Sequence, residues 1–334
     1  MLSANAHQEL NLKKSLRIHN LEAAPDAKVF GFIEVLQRPV SPAGFPLQIV
    51  NGLQEGPILL IIAGTHACEY AGIDAAIQIF NQTAPANLRG ALICIPVVNI
   101  AAFETQTPYV CPIDGLNMSD LFPADMNGTA SHKIAHFLFN EIALKANYIL
   151  DLHGGDLPED LSPYSIFSRS GNEEADAKSE QMARYYGAPF IDEVSHPASL
   201  IHQSSLKGIP GIICESGGLG RLLEEDVAVH VRGVRNIMAY LGMSDAKPEP
   251  PPKGQKVFKS KKIRLGVSKG GILRLRVKVG QSVEADQLLG EVVNLQGDRV
   301  EELRSPTRAV VRILIPKYVV TSGDKVVFLS QIDK

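Results

Sequence analysis

The stretch "PILLIIAGTHACEYAG", residues 57–72, decides how the chain is to be read. Its first half is a short, β-branched apolar run bounded by proline and glycine, the pattern of a strand buried on both faces. Its second half opens "ACEYAGIDAAIQIFNQ", where Ala71, Ala75 and Ile79 recur at four-residue spacing with Ile73 and Ile77 alongside, which predicts a helix. The next apolar run, "GALICIPVVN" (90–99), predicts a second buried strand. Strand, turn, helix and strand in that order make a βαβ-type unit.

The same alternation continues outward. "SHKIAHFLFNEIALKA" (131–146) reads as a helix with Ser131 as its N-cap, followed by a strand in "NYILDLHGG" (147–155). "NEEADAKSEQMARYYG" (172–187) reads as a helix closed by Gly187, "GIPGIICESGG" (208–218) as a strand entering a glycine loop, and "DVAVHVRGVRNIMAYLG" (226–242) as a last helix. Apolar runs alternating with helical stretches predict an α/β fold with helices on the faces of a sheet. At "SDAKPEPPPKGQK" (244–256) proline and lysine take over, which excludes helix and central strand and marks a linker. Beyond it, "VKVGQSVEADQLLGEV" and "YVVTSGDKVVFLS" share a strand, turn, strand pattern, and so weak a repeat suits a small all-β sandwich or barrel of two similar halves. The expected organisation is an N-terminal extension (1–28), a catalytic α/β domain (29–243), the linker (244–256) and a C-terminal β domain (257–334).

With 334 residues, 45% of them hydrophobic and 21% charged, the chain has the length of two globular domains and can bury a sizeable core. A formal net charge of −3 offers no basic footprint for nucleic acid or anionic lipid. No run reaches the ~18 apolar residues that span a bilayer, and the N-terminus lacks a signal-type apolar core, so a cytoplasmic location is expected. The four cysteines are scattered without CxxC pairing, which predicts buried free thiols rather than disulfides or a cysteine zinc cluster. The expected partner is a small-molecule substrate, with no nucleic acid and no membrane; homo-oligomerisation is compatible with this reading.

The chemistry gathers at strand ends. His66 and Glu69 lie three residues apart in a strand-to-helix turn and project from one side, and imidazole nitrogen and carboxylate oxygen are both Zn²⁺ ligands. A catalytic zinc takes three protein ligands, and His153 in "ILDLHGGD" supplies the third from another strand end, where ligands of open α/β sheets gather. Asp151, two residues earlier on the same strand, points the same way and is placed to orient that imidazole. Glu215 in "IICESGG" stands at a third strand end with an apolar approach that raises its pKa, and is the candidate general base. Cys68, between the first two ligands, reads as a packing thiol.

"GTHACEYAG", "NIAAFETQTPYVCPIDGLNMSDLFPAD", "DLHGGD" and "CESGG", in this order, resemble the succinylglutamate desuccinylase/aspartoacylase family, a branch of the zinc carboxypeptidase-like fold. "VKVGQSVEADQLLG", "SPTRAVVRI" and "SGDKVVFL" are similar to the small β domain, itself like a biotinyl/lipoyl barrel, that members carry after the catalytic domain. The resemblance implies a mixed sheet with helices on both faces, one zinc per chain held by His66, Glu69 and His153, and Glu215 as base and proton shuttle. It implies hydrolysis of an N-acyl amino acid or related small amide.

The chain departs from the family pattern in two places. The family motif runs Asp-Gly-x-Asn-Leu-Asn-Arg-x-Phe-Pro-Gly, its Asn-Arg pair gripping a substrate carboxylate; "DGLNMSDLFPAD" puts Ser119 and Asp120 there, with Asn117 retained just upstream. Gln106 stands near the place of a second family arginine. An arginine fork holds a carboxylate, whereas Asp120 repels it. Three outcomes stay open: a substrate without that carboxylate, with a cationic group facing Asp120; another arginine recruited, for which Arg169 is the candidate, with Tyr164 as a further substrate contact; or zinc binding with little catalysis. A small-ester hydrolase of similar mechanism is an alternative. His196 and His202, in "SHPASLIHQ", read as surface-loop residues beside the cleft.

Overall fold

The computed structural model describes residues 14–259 and 262–332. Nine strands form its main sheet: β1 (Ala27–Leu36), β2 (Ala43–Asn51), β3 (Gln54–Ala63), β4 (Arg89–Ile95), β5 (Tyr148–His153), β6 (Tyr164–Ser168), β7 (Phe190–Val194), β8 (Gly211–Glu215) and β9 (Lys256–Phe258). Their spatial order is β9-β7-β6-β8-β5-β3-β4-β2-β1. The central strands β8, β5, β3 and β4 run parallel, while β6 runs antiparallel to β8 and β2 antiparallel to β4 and β1. The fold is therefore the mixed α/β sheet that the alternation of apolar runs predicts.

Helices α1 (Tyr70–Gln82), α2 (Ile100–Thr105), α3 (Ala130–Phe137), α4 (Glu173–Tyr186), α5 (Leu200–Leu206) and α6 (Glu224–Tyr240) accompany the sheet. One core, built around Leu59, Ile61, Leu150 and Ile212, packs the sheet against α1, α4 and α6. A second, around Leu60, Ile62, Ile93 and Ile149, packs the other face against α3. Strand residues thus alternate between two apolar layers, which is why these strands read as continuous hydrophobic runs.

Several local expectations shift. Helix α3 is capped at Thr129 rather than Ser131, because Asp114 reaches this turn and accepts hydrogen bonds from Ser131 N–H (2.7 Å), Ser131 Oγ (2.8 Å) and Thr129 Oγ (2.7 Å). Helix α1 begins at Tyr70, so Glu69 occupies its N-cap position instead of the first turn. The end of the proline-rich stretch adds β9 to the sheet edge, pairing with β7, the one kind of position a proline-flanked strand tolerates. Upstream of β1, the hairpin of Leu16–Ile18 and Leu21–Ala23 buries Ile18 and Ala23 in the second core; residues 1–13 of the expected N-terminal extension lie outside the described residues.

The C-terminal chain forms two small antiparallel sheets around a valine- and leucine-rich core. Its two repeat halves have matching order: Ser282–Val283 then Leu288–Val293, and Val319–Val320 then Lys325–Gln331, each pair divided between the two sheets in opposite sense. This small β unit is fastened to the main sheet. Asp160–Leu161, just beyond His153, pairs with Ala309–Leu314, and the fully buried Arg312 holds Asp192 of β7 at 2.9 Å with the rings of Tyr164, Phe190 and Phe258 packed around its guanidinium.

Candidate active site

Strand β3 ends at Ala63, and Gly64 turns the chain with φ +62°, where a Cβ would lie only 2.9 Å from Val97 Cα. That turn is open to glycine alone and swings His66 over the end of the sheet. Strand β5 lies beside β3 with Leu152 paired to Ala63, so His153 emerges next to the same turn. Strand β8 flanks β5 on the other side, and Glu215 pairs in register with His153. A Cβ at Gly154 would lie 2.3 Å from Ser216 O, so the glycine after His153 lets the two strand ends close up.

Three groups converge there. Glu69 Oε1 lies 2.9 Å from His66 Nδ1, and Glu69 Oε2 lies 2.9 Å from His153 Nδ1 while also accepting a hydrogen bond from Gly154 N–H (3.0 Å). One ligand atom from each residue falls within 4.8 Å of the others, and the imidazole rings meet edge to face at 4.9 Å. Burial raises the Glu69 pKa, but the two imidazoles outweigh it and hold the carboxyl down at about 2, so it is ionised. Asp151 Oδ1 lies 3.3 Å from His153 Nε2, on the ring edge away from Glu69, as an orienting carboxylate would.

Glu215 is under the opposite influence. Burial dominates, and with Glu69 and Glu159 nearby it pushes the carboxyl up to about 8 against the pull of His153 and Lys262. Two acids beside one histidine are thereby driven apart, one anionic and one poised to hold a proton near neutrality.

The rim of the cleft is the segment with Ser119 and Asp120. Asn117 caps a single turn over Met118–Asp120, and its Oδ1 lies 3.0 Å from His66 Nε2. Ser119 Oγ is 3.2 Å from the same nitrogen. Asn117 Nδ2 donates to Asp120 Oδ2 (3.0 Å), and His196 Nε2 lies 2.8 Å from Asp120 Oδ1. His196 thus reaches the cleft, whereas His202, expected on a surface loop, is buried and lies 2.8 Å from Ser168 Oγ. A cavity of about 120 Å³ is lined by Phe122, Leu138, Leu200 and Ile213 together with His66, Ser119, Asp151, His153, His196 and Glu215.

The structure does not bring Arg169 to this site. Because β6 runs antiparallel to β8, Tyr164 stands beside Glu215, and Arg169 follows the far end of β6, about 16 Å along the strand at ~3.3 Å per residue. There it pairs with Glu180 (2.9 Å) and Glu193 (3.1 Å). Tyr164 is buried with its ring against Lys262 (4.5 Å) and Arg312 (4.6 Å), so it meets the neighbouring β unit and not the cavity.

Sequence reasoning missed Tyr109, Asp156 and Glu159. The Tyr109 ring lies 5.8 Å from that of His66, its N–H donates to Asp156 Oδ2 (2.8 Å), and its hydroxyl bonds Glu159. Burial is the leading cause that raises the pKa of all three. The sole signal was their position, "PY" after a helix end and "DLPED" after His153, where no periodicity points inward.

Two imidazoles and a carboxylate near the carboxyl ends of parallel strands form a group that could hold a metal ion, with a raised carboxyl beside it. The chain belongs to the succinylglutamate desuccinylase/aspartoacylase family: residues 55–241, more than half of it, match that family's catalytic domain. It is 25% identical over 285 residues, 83% of either chain, to the N-alpha-acetyl-L-2,4-diaminobutyric acid deacetylase of Halomonas elongata. Among solved structures it resembles the product-bound ectoine utilization protein EutE (DoeB) of Ruegeria pomeroyi (TM-score 0.84, 21% identity, covering 94% of this chain and 98% of that one). It also resembles a succinylglutamate desuccinylase/aspartoacylase from Rhodobacter sphaeroides (TM-score 0.81, 23% identity, 92% and 96% covered). At these identities the structures establish the fold. The curated relative is named a deacetylase, and the matched catalytic domain makes this chain a hydrolase of amide C–N bonds.

Proposed function

We propose that the protein hydrolyses the amide bond of a small N-acylated amine or amino acid, with zinc held by His66, Glu69 and His153 and with Glu215 as general base and proton shuttle. The observation that carries this reading is the register of Glu215 with His153, which sets the raised carboxyl beside the three-ligand group. The donor set fits zinc: two imidazole nitrogens and one ionised carboxylate, already gathered on one side, with Asp151 behind one ring. When bound, the ion supplies Lewis acidity toward a water molecule and the acyl carbonyl.

The chain's own groups do the rest. Glu215 takes a proton from the water as its oxygen bonds the acyl carbon, then delivers that proton to the nitrogen as the C–N bond breaks, leaving a carboxylic acid and an amine. Ser119 and Asn117 fix the His66 ring through Nε2 and leave Nδ1 turned to the ligand cluster. Apolar walls at Phe122, Leu200 and Ile213 keep water from the far side of the reacting bond.

The test is acyl release from a panel of N-acetyl amines and amino acids after chelation and again after zinc is restored. Release that stops with chelation and returns with zinc supports the reading. No release from any member by the zinc-loaded protein overturns it in favour of a binding protein.

A further inference from the structure

We propose, resting on the amide-hydrolase reading above, that the leaving half of the substrate carries no carboxylate and ends in its own ammonium group, as in an N-acylated short diamine. Glu215, which must reach the leaving nitrogen, lines the 120 Å³ cavity. Ile213, two residues earlier on the same strand face, forms its wall. Whatever is attached to that nitrogen therefore runs into this cavity. The space holds about four groups of water size, at ~30 Å³ each. Phe122, Leu138, Leu200 and Ile213 make much of its wall hydrocarbon, which suits a short alkyl chain.

The charges decide what such a chain ends in. Among the described residues lining the cavity there is no lysine or arginine; its basic groups are His66, His153 and His196, and its acids are Glu215, which burial inclines to hold its proton, and Asp151. Asp151 is 6% exposed, and its Oδ1, although within ion-pair range of His153, lacks a partner in hydrogen-bond geometry. A carboxylate has about four acceptor sites, so it serves His153 and a ligand cation together. At the rim, next to Ser119 and His196 of the lining, Asp120 is bonded by Asn117 and His196. The nearby basic groups are committed elsewhere: Arg312 and Lys262 to Asp192, and Arg169 to Glu180 and Glu193 at the far end of β6. A substrate carboxylate on the leaving half would meet no lysine or arginine in this cavity, whereas an ammonium finds the Asp151 carboxylate as a charge-assisted acceptor.

The experiment uses zinc-loaded Glu215→Gln protein, which binds substrates without turning them over, and three ligands of one skeleton. These are N-alpha-acetyl-diaminobutyrate, the mono-acetylated diaminopropane that lacks its carboxylate, and N-acetylpropylamine, which lacks both charges. Calorimetry should give the acetylated diamine a Kd at least about tenfold below the other two. Adding Asp120→Asn should weaken the diamine about threefold or more with N-acetylpropylamine unchanged, and Asp120→Arg should reverse the preference toward the carboxylate compound. Asp120 is half exposed, so both variants are expected to fold. Equal or tighter binding of the carboxylate compound overturns the proposal, as does a diamine preference that ignores Asp120. Wild-type turnover of the same three compounds separates the two ideas. Hydrolysis with a carboxylate preference defeats this proposal alone; a diamine preference without hydrolysis supports the ligand class and defeats the catalytic reading.

Discussion

His66, Glu69 and His153 come from two adjacent parallel strand ends and are nearly enclosed, Glu69 at 5% and His153 at 6% exposure. Asp120 and His196 reach the same cleft from two separate loops and remain about half exposed at their side chains. The first group is fixed by backbone pairing, so its geometry comes with the fold. The second is fixed by side-chain hydrogen bonds across 76 positions of sequence, so it can change without disturbing the sheet. On the proposed reading, one side of the cleft keeps the reaction and the other is free to choose the substrate.

The largest expected effect is on the enclosed side. Glu69→Ala removes the central ligand and leaves two buried imidazoles without their anion. Zinc content should fall from about one per chain to a small fraction of that, measured by metal analysis after gel filtration, and a variant that keeps full zinc breaks the ligand assignment. Next comes Glu215→Gln, which should keep its zinc and lose about 10²- to 10⁴-fold in kcat, the usual worth of a positioned acid-base group.

The same variant carries a stability prediction. The folded pKa of Glu215 is raised to about 8, so in the metal-free protein the folded state holds a proton that the unfolded chain has already released. Its contribution is therefore fully present below the ordinary glutamate range and is lost as pH rises toward 8. Metal-free Glu215→Gln should melt above the wild type at pH 8, with the gap closing at pH 5; a gap that widens toward acid would contradict the burial of this carboxyl. Glu69 has the reverse sign, being depressed to about 2, and its contribution is lost as pH falls through that range.

Between the two sides stands the fastening of the small β unit. Arg312→Ala leaves Asp192 buried beside Lys262 with half its partners gone, which should cost about 3–5 kcal/mol in denaturant unfolding. If that variant is as stable as wild type, the Arg312 cluster is not what joins the β unit to the sheet. The smallest effect belongs to Arg169→Ala, which should leave kcat/KM within about twofold and stability within ~1 kcal/mol, as for an exposed ion pair. A large loss of activity would mean that this arginine acts on substrate after all.

Much of the enclosed side was legible in the sequence because two periods carry it. Apolar runs of strand length placed 57–63, 148–153 and 211–215 in the sheet, and chemistry at the end of each run follows from how parallel sheets gather ligands. The antiparallel direction of β6 was not legible, since a short strand such as YSIFS reads the same either way, and so nothing in the sequence showed that Arg169 follows the end of β6 remote from Glu215. His202 and Ser131 were misplaced for a related reason: their partners, Ser168 and Asp114, are remote in sequence. Arg312 inside an apolar strand gave no hint that Asp192, 120 positions away, would meet it. Tyr109, Asp156 and Glu159 sit in loops, where turn chemistry and not period sets direction.

The central claim is that one strand-end cluster both holds the metal and works the proton. It is tested most directly by measuring zinc content and acyl release on the same preparations of wild type and Glu215→Gln, using a substrate that the wild type cleaves. The account predicts about one zinc per chain in both, with release in the wild type and at least about a hundredfold less in the variant. Equal release from the two proteins at equal zinc would contradict it, because the proton would then travel by a route that does not include Glu215.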